Sequence, residues 1–125
     1  GDWEGAIDLF ERAIQSPTIS TSLKIDAYLY LALAKSKNGG DAYLEVEKAY
    51  LLNPYSKTTV VYLIMSYLTT LSKLSNQPDS QKAKIDIIHK IEHTIESHKY
   101  LFSQDDPWLL KVTKAIDYLK VQATS

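Results

Sequence analysis

Thirty-six residues separate Ala6 from Ala42, and the same distance separates Ala13 from Ala49. In the first stretch Ala6, Ile7, Phe10, Ala13 and Ile14 fall at i, i+1, i+4, i+7 and i+8, which is one apolar face of a 3.6-period helix. In the second, Ala42, Val46 and Ala49 repeat the places of Ala6, Phe10 and Ala13, and Pro54 repeats Pro17 one residue out of step. Small residues seven apart lie two turns apart on one side of a helix, where a neighbouring helix can approach closely. What recurs is therefore a helix shaped to pack tightly against another.

The rest of the chain divides into helices at strong stop signals. The first helix runs from about Asp2 to Gln15 and is closed by Ser16 and Pro17, with Asp8 and Arg12 spaced for an i,i+4 ion pair. The polar stretch Ser16–Ser22 supplies N-caps for a second, from about Thr21 to Lys37, which Asn38, Gly39 and Gly40 end. A third spans about Asp41 to Leu52, before Asn53 and Pro54.

The fourth, about Ser56 to Leu74, centres on Val60–Leu68, which lacks a polar face and is expected to be central and buried, with Val61, Ile64, Met65 and Leu68 almost fully enclosed. Its β-branched residues from Thr58 to Ile64 allow a strand, but no second strand candidate exists to pair with it. A fifth helix, about Ser80 to Tyr100, follows the Ser75–Asp79 loop and carries Ile88, Ile91, Ile95 and Phe102 on one stripe. The sixth starts with Asp106 as N-cap and Pro107 at the first helical position. It runs to about Val121, its stripe formed by Trp108, Val112, Ala115, Ile116 and Leu119, with 123–125 frayed.

Gly1-Asp2-Trp3, Ala6-Ile7, Leu9-Phe10 and Ala13-Ile14 together resemble the second helix of a tetratricopeptide repeat, a family of helical hairpins with a period of about 34 residues. The likeness is fair over Ile25–Pro54, where Leu29, Ala42, Ala49 and Pro54 stand at family positions, and poor beyond. Tyr30, and Tyr62 in the next unit, replace the small residue of the family's first helix, which should force the paired helices apart or tilt them. Asp26 and Thr58 replace its Trp.

The resemblance implies an all-α fold of about six helices, in antiparallel hairpins stacked as a short right-handed solenoid. Residues 1–125 would form a single domain, with 1–54 closest to the repeat, 55–103 a degenerate hairpin and 104–122 a capping helix. Because 1–14 matches a second helix, the chain is expected to be a piece of a longer protein. The side of helix one that faces the missing first helix, with Trp3, Ile7, Phe10 and Ile14, would then be covered by another copy of the chain or be poorly ordered.

Composition excludes several function classes. Net charge is −1, and Arg12 is the single arginine among 14 basic residues, which argues against nucleic-acid binding. The chain has no cysteine, so it offers neither a disulfide framework nor thiolate chemistry, and cytoplasmic residence is expected. No apolar run is long enough for a membrane span.

His89, Glu92 and His93 match the H-x-x-E-H spacing of inverted zinc peptidases. Yet on a wheel centred on Ile88, Ile91 and Ile95, His93 points nearly opposite the core, and little chain follows for a third ligand. The reading is a solvated helix face, not a zinc centre, and no enzyme. Nine tyrosines, six of them (Tyr28, Tyr30, Tyr43, Tyr50, Tyr62 and Tyr67) in the middle helices, read chiefly as large filler for a loosely matched repeat core. No phosphate loop, catalytic triad or cofactor motif is present, and no cofactor or metal is expected.

What the family resemblance implies functionally is a protein-interaction scaffold that holds a peptide or partner domain in a groove. The residues at its groove-lining positions are Ala27, Leu31, Ala34 and Lys35, then Thr59, Leu63, Ser66 and Tyr67. They would suit an extended apolar or neutral segment. The Lys/Asn clamp that some members close on a C-terminal carboxylate is absent. The alternative is an accessory helical segment of a larger enzyme or sensor protein, with no independent ligand.

Overall fold

In the computed structural model, which describes residues 2–124, six α-helices and one 3-10 turn carry the chain, and no strand occurs among the described residues. The helices are α1 (Trp3–Gln15), α2 (Thr21–Lys37), α3 (Tyr43–Leu52), α4 (Lys57–Leu74), α5 (Gln81–Ser97) and α6 (Pro107–Thr124), with the 3-10 turn at Lys99–Leu101. The all-α expectation is met, and the segment 58–64 is helical.

Caps explain most boundaries. The Asp2 carboxylate accepts from the Gly5 amide at 2.9 Å and starts α1. A side chain at position 5 would collide with that carboxylate, so glycine there leaves the cap room. Ser20 Oγ accepts from Leu23 N to start α2, and Asp106 Oδ1 accepts from Leu109 N to start α6. Gly39, at φ +83°, turns the chain out of α2, and the Gly40 amide donates back to the Lys35 carbonyl at 2.8 Å. The α3 helix begins later than expected because Asp41 Oδ1 takes the Tyr43 amide in a local turn. The α5 helix stops at Ser97, short of the expected Tyr100: the chain tightens at His98 into the 3-10 turn.

Residues 1–66 and 67–125 form two compact units, and the division falls inside α4. In the first unit α1 packs on α2 and α2 on α3, with short connections that make each pair an antiparallel hairpin. Its core is Ala27, Leu29, Leu31, Ala32, Ala34, Val46, Ala49, Val60, Leu63 and Ile64. Ala49 is wholly buried, as a position of close helix approach should be, but α1 buries no residue completely. Tyr30 is exposed, and its ring stacks on Phe10 with centroids 5.7 Å apart. In the second unit α5 packs on α6, and Ile88, Ile91, Phe102, Val112 and Ile116 are buried.

Three burial expectations change. On α4, Ile64 is 0% exposed as expected, but Met65 is 49% exposed and Val61 and Leu68 are half-buried. The enclosed stripe is Thr59, Val60, Leu63, Ile64 and Leu71, so α4 presents Thr58, Met65, Thr69 and Ser72 outward and is not apolar-buried all round. On α6, Ala115 is exposed; the buried positions continue from Ile116 to Ala123. Position 123, expected to fray, is instead buried, and Thr124 Oγ1 donates to the Lys120 carbonyl. Residue 125 lies outside the described residues.

Candidate functional site

The helix positions that sequence reasoning assigned to a groove differ in exposure. Ala27, Ala34, Thr59 and Leu63 are enclosed in the core. Small residues on a helix that packs against two neighbours are drawn to the close-approach lines, so Ala27 and Ala34 serve packing. Ser66, half-buried, donates its hydroxyl to the Leu63 carbonyl at 2.7 Å; Tyr67, also half-buried, belongs to the second compact unit. Of the eight, Leu31 and Lys35 line an open cleft.

That cleft lies in the first unit and is built on another stripe of α2. Lys24, Tyr28, Leu31 and Lys35 fall at i, i+4, i+7 and i+11, one side of the helix. Leu31 is the deep floor. The end of α1 contributes Glu11, Ile14 and Gln15 to the rim, and α3 contributes Glu45 and Lys48. A second cleft adjoins it, lined by Lys24, Tyr28, Lys48, Leu51 and Leu52. Tyr28 and Lys48 line both, which makes one groove with two halves of about 350 and 330 Å³.

Polar side chains set the groove's character. Lys35 Nζ binds Glu45 Oε1 at 2.6 Å, with the Glu45 side chain only 10% exposed. This pair neutralises the inner half and ties α2 to α3. The Lys48 ammonium lies 5.8 Å from the centroid of the Tyr28 ring, a cation–π contact that holds it at the junction of the halves. Among the described residues neither Lys24 nor Lys48 is paired with a carboxylate. Beside them Leu51 is 70% exposed, and Leu44, two turns away on the same helix, is 63% exposed.

The signal for Lys24, Tyr28, Lys48, Leu51 and Leu52 was present as helical spacing. Long polar and aromatic residues four and seven apart on α2 mark its open side, just as the alanines mark the packed one.

His89 and His93 are both exposed on α5, with His93 Nε2 3.4 Å from Ser97 Oγ on the same helix. Among the described residues no three His, Asp or Glu side chains gather closely enough to share a metal ion. His98 behaves differently from both. It is buried, and its Nδ1 donates to the Thr94 carbonyl at 2.7 Å. No helix of the described residues is long and apolar enough to cross a membrane.

No protein-family model, curated protein or solved structure matches the chain. The likeness to tetratricopeptide repeats thus rests on the pattern of residues in 1–54.

Proposed function

We propose that this chain is a protein-interaction scaffold that docks a segment of a partner protein in the groove along α2, between the end of α1 and α3. The observation that carries the reading is the groove itself. It has an apolar floor, a half-buried tyrosine at its centre and exposed leucines at one end, flanked by lysines. Apolar anchors inside a polar rim are how surfaces of this kind hold a peptide. Its two open halves suit a succession of side chains better than one enclosed small molecule. The tetratricopeptide-like pattern of 1–54 points the same way, and a cysteine-free chain suits a reducing compartment such as the cytoplasm.

The test is selection of random twelve-residue peptides displayed on phage against the whole chain, repeated with Leu51→Ser and Tyr28→Ser. A consensus that both substitutions abolish is expected. No consensus, or one indifferent to both, would refute groove docking.

A further inference from the structure

We infer that the partner segment is acidic and leucine-rich, with side-chain carboxylates against Lys24 and Lys48 and aliphatic side chains over Tyr28, Leu51 and Leu52. The inference rests on the docking reading above and adds the partner's chemistry. It departs from the neutral or apolar ligand that the family positions alone suggest.

The charges of the two groove halves differ. In the inner half Lys35 is satisfied by Glu45, and Glu11 stands on the α1 rim. In the outer half the charged groups are Lys24 and Lys48, both cationic and both without a carboxylate partner among the described residues. Asp26, the acidic residue nearest to Lys24 in sequence, lies two positions along α2 and therefore on a different face. Two lysines lining the same cleft as Leu51 and Leu52 give it positive charge in a chain whose net charge is −1.

Geometry makes the site usable. Lys48 is exposed, with its ammonium 5.8 Å from the Tyr28 ring centroid, so the contact favours a position at the cleft without withdrawing the charge from solvent. Lys24 lies one turn before Tyr28 on the same stripe. A carboxylate that reaches between the two ammoniums leaves the neighbouring residues of its segment over Leu51 and Leu52, where burial of an aliphatic side chain gives the affinity and the charges give the selection. Glu11, at the α1 rim of the inner half, disfavours acidic residues there and sets the direction in which the segment lies.

Fluorescence anisotropy with the whole chain tests this. The probes are fluorescein-labelled twelve-residue peptides blocked at both ends, one alternating leucine and aspartate and one alternating leucine and asparagine. The expected result is binding of the aspartate probe at least about tenfold tighter than the asparagine probe, with the advantage shrinking as salt rises. The double variant Lys24→Gln/Lys48→Gln should bring the aspartate probe down to the asparagine level with the circular dichroism spectrum unchanged, and Leu51→Ser should weaken both probes.

Equal affinity for the two probes, or an aspartate probe indifferent to the lysine variants, overturns the acidic assignment. Leu51→Ser sensitivity would then leave groove docking intact. If neither probe binds but a phage-selected consensus does, the acidic assignment also falls and docking stands; if no consensus exists either, both fall. Light scattering that shows a dimer dispersed by Leu51→Ser would identify the groove's occupant as a second copy of this chain and likewise overturn the proposal.

Discussion

Lys35 lines the groove and is ion-paired to Glu45. Its partner Glu45 is nearly enclosed, so removal of the lysine strands a carboxylate in a poorly solvated place, while removal of both charges does not. Lys35→Met is therefore expected to destabilise the chain by about 2 kcal/mol in urea unfolding, and Lys35→Met/Glu45→Leu to recover most of that loss. Thr59 offers the opposite case. It is fully buried, and among the described residues its Oγ1 has no hydrogen-bond partner although its amide donates to Ser56 Oγ. A buried hydroxyl without a partner costs free energy that an apolar side chain of the same shape avoids. Thr59→Val should raise stability by about 1 kcal/mol and the melting temperature by about 4 °C, measured by calorimetry.

At the scale of the element, α4 separates two neighbours in sequence. Ile64 is wholly enclosed and Met65 half-exposed. Ile64→Ala is expected to cost about 2–4 kcal/mol and Met65→Ala under about 1 kcal/mol, read as shifts of the urea midpoint at constant slope. The sequence indicated that α4 exists and roughly where it ends, but not its inward face. With Val60, Val61, Tyr62, Leu63, Ile64, Met65 and Leu68 in one run, every side of the helix is apolar, and a rotation of one residue, about 100°, changes little in the pattern. Elements with punctuation were better specified. Pro17, Gly39, Pro54 and the Asp106–Pro107 pair set boundaries because each imposes a backbone conformation or a capping bond. The groove was the least legible part. Leu31 and Lys35 stand at family positions and line the groove, Ala27 and Ala34 at other family positions are buried, and Lys24 and Tyr28, which also line the groove, lie on the Leu31–Lys35 stripe but at no family position.

At the scale of the whole chain, residues are buried unevenly, and the groove borders α1, a helix with no buried residue. In the first compact unit α2 and α3 bury Ala27, Leu29, Leu31, Ala32, Ala34, Val46 and Ala49, whereas Ala6, Ile7, Phe10, Ala13 and Ile14 of α1 are only half-covered. The ion pair of α1, Asp8 to Arg12 at 2.7 Å, joins two well-exposed side chains and adds little. Its Asp2 cap is at the surface too. Opening α1 therefore exposes much less newly apolar surface than opening α2, and local opening follows the surface lost.

Amide hydrogen exchange is expected to be about a hundredfold faster across 5–15 than across the middle of α2, with α1 still helical by chemical shift. Ile14 and Gln15 of α1 form one rim of the inner groove half, so a peptide that reaches this half should slow exchange at the end of α1. Repeating the exchange at a tenfold higher protein concentration separates intrinsic protection from cover by a second copy, because only the latter rises with concentration. Exchange in α1 as slow as in α2, at low concentration and without peptide, would show that half-buried contacts such as Phe10 on Tyr30 hold this helix as firmly as the buried core holds its neighbour.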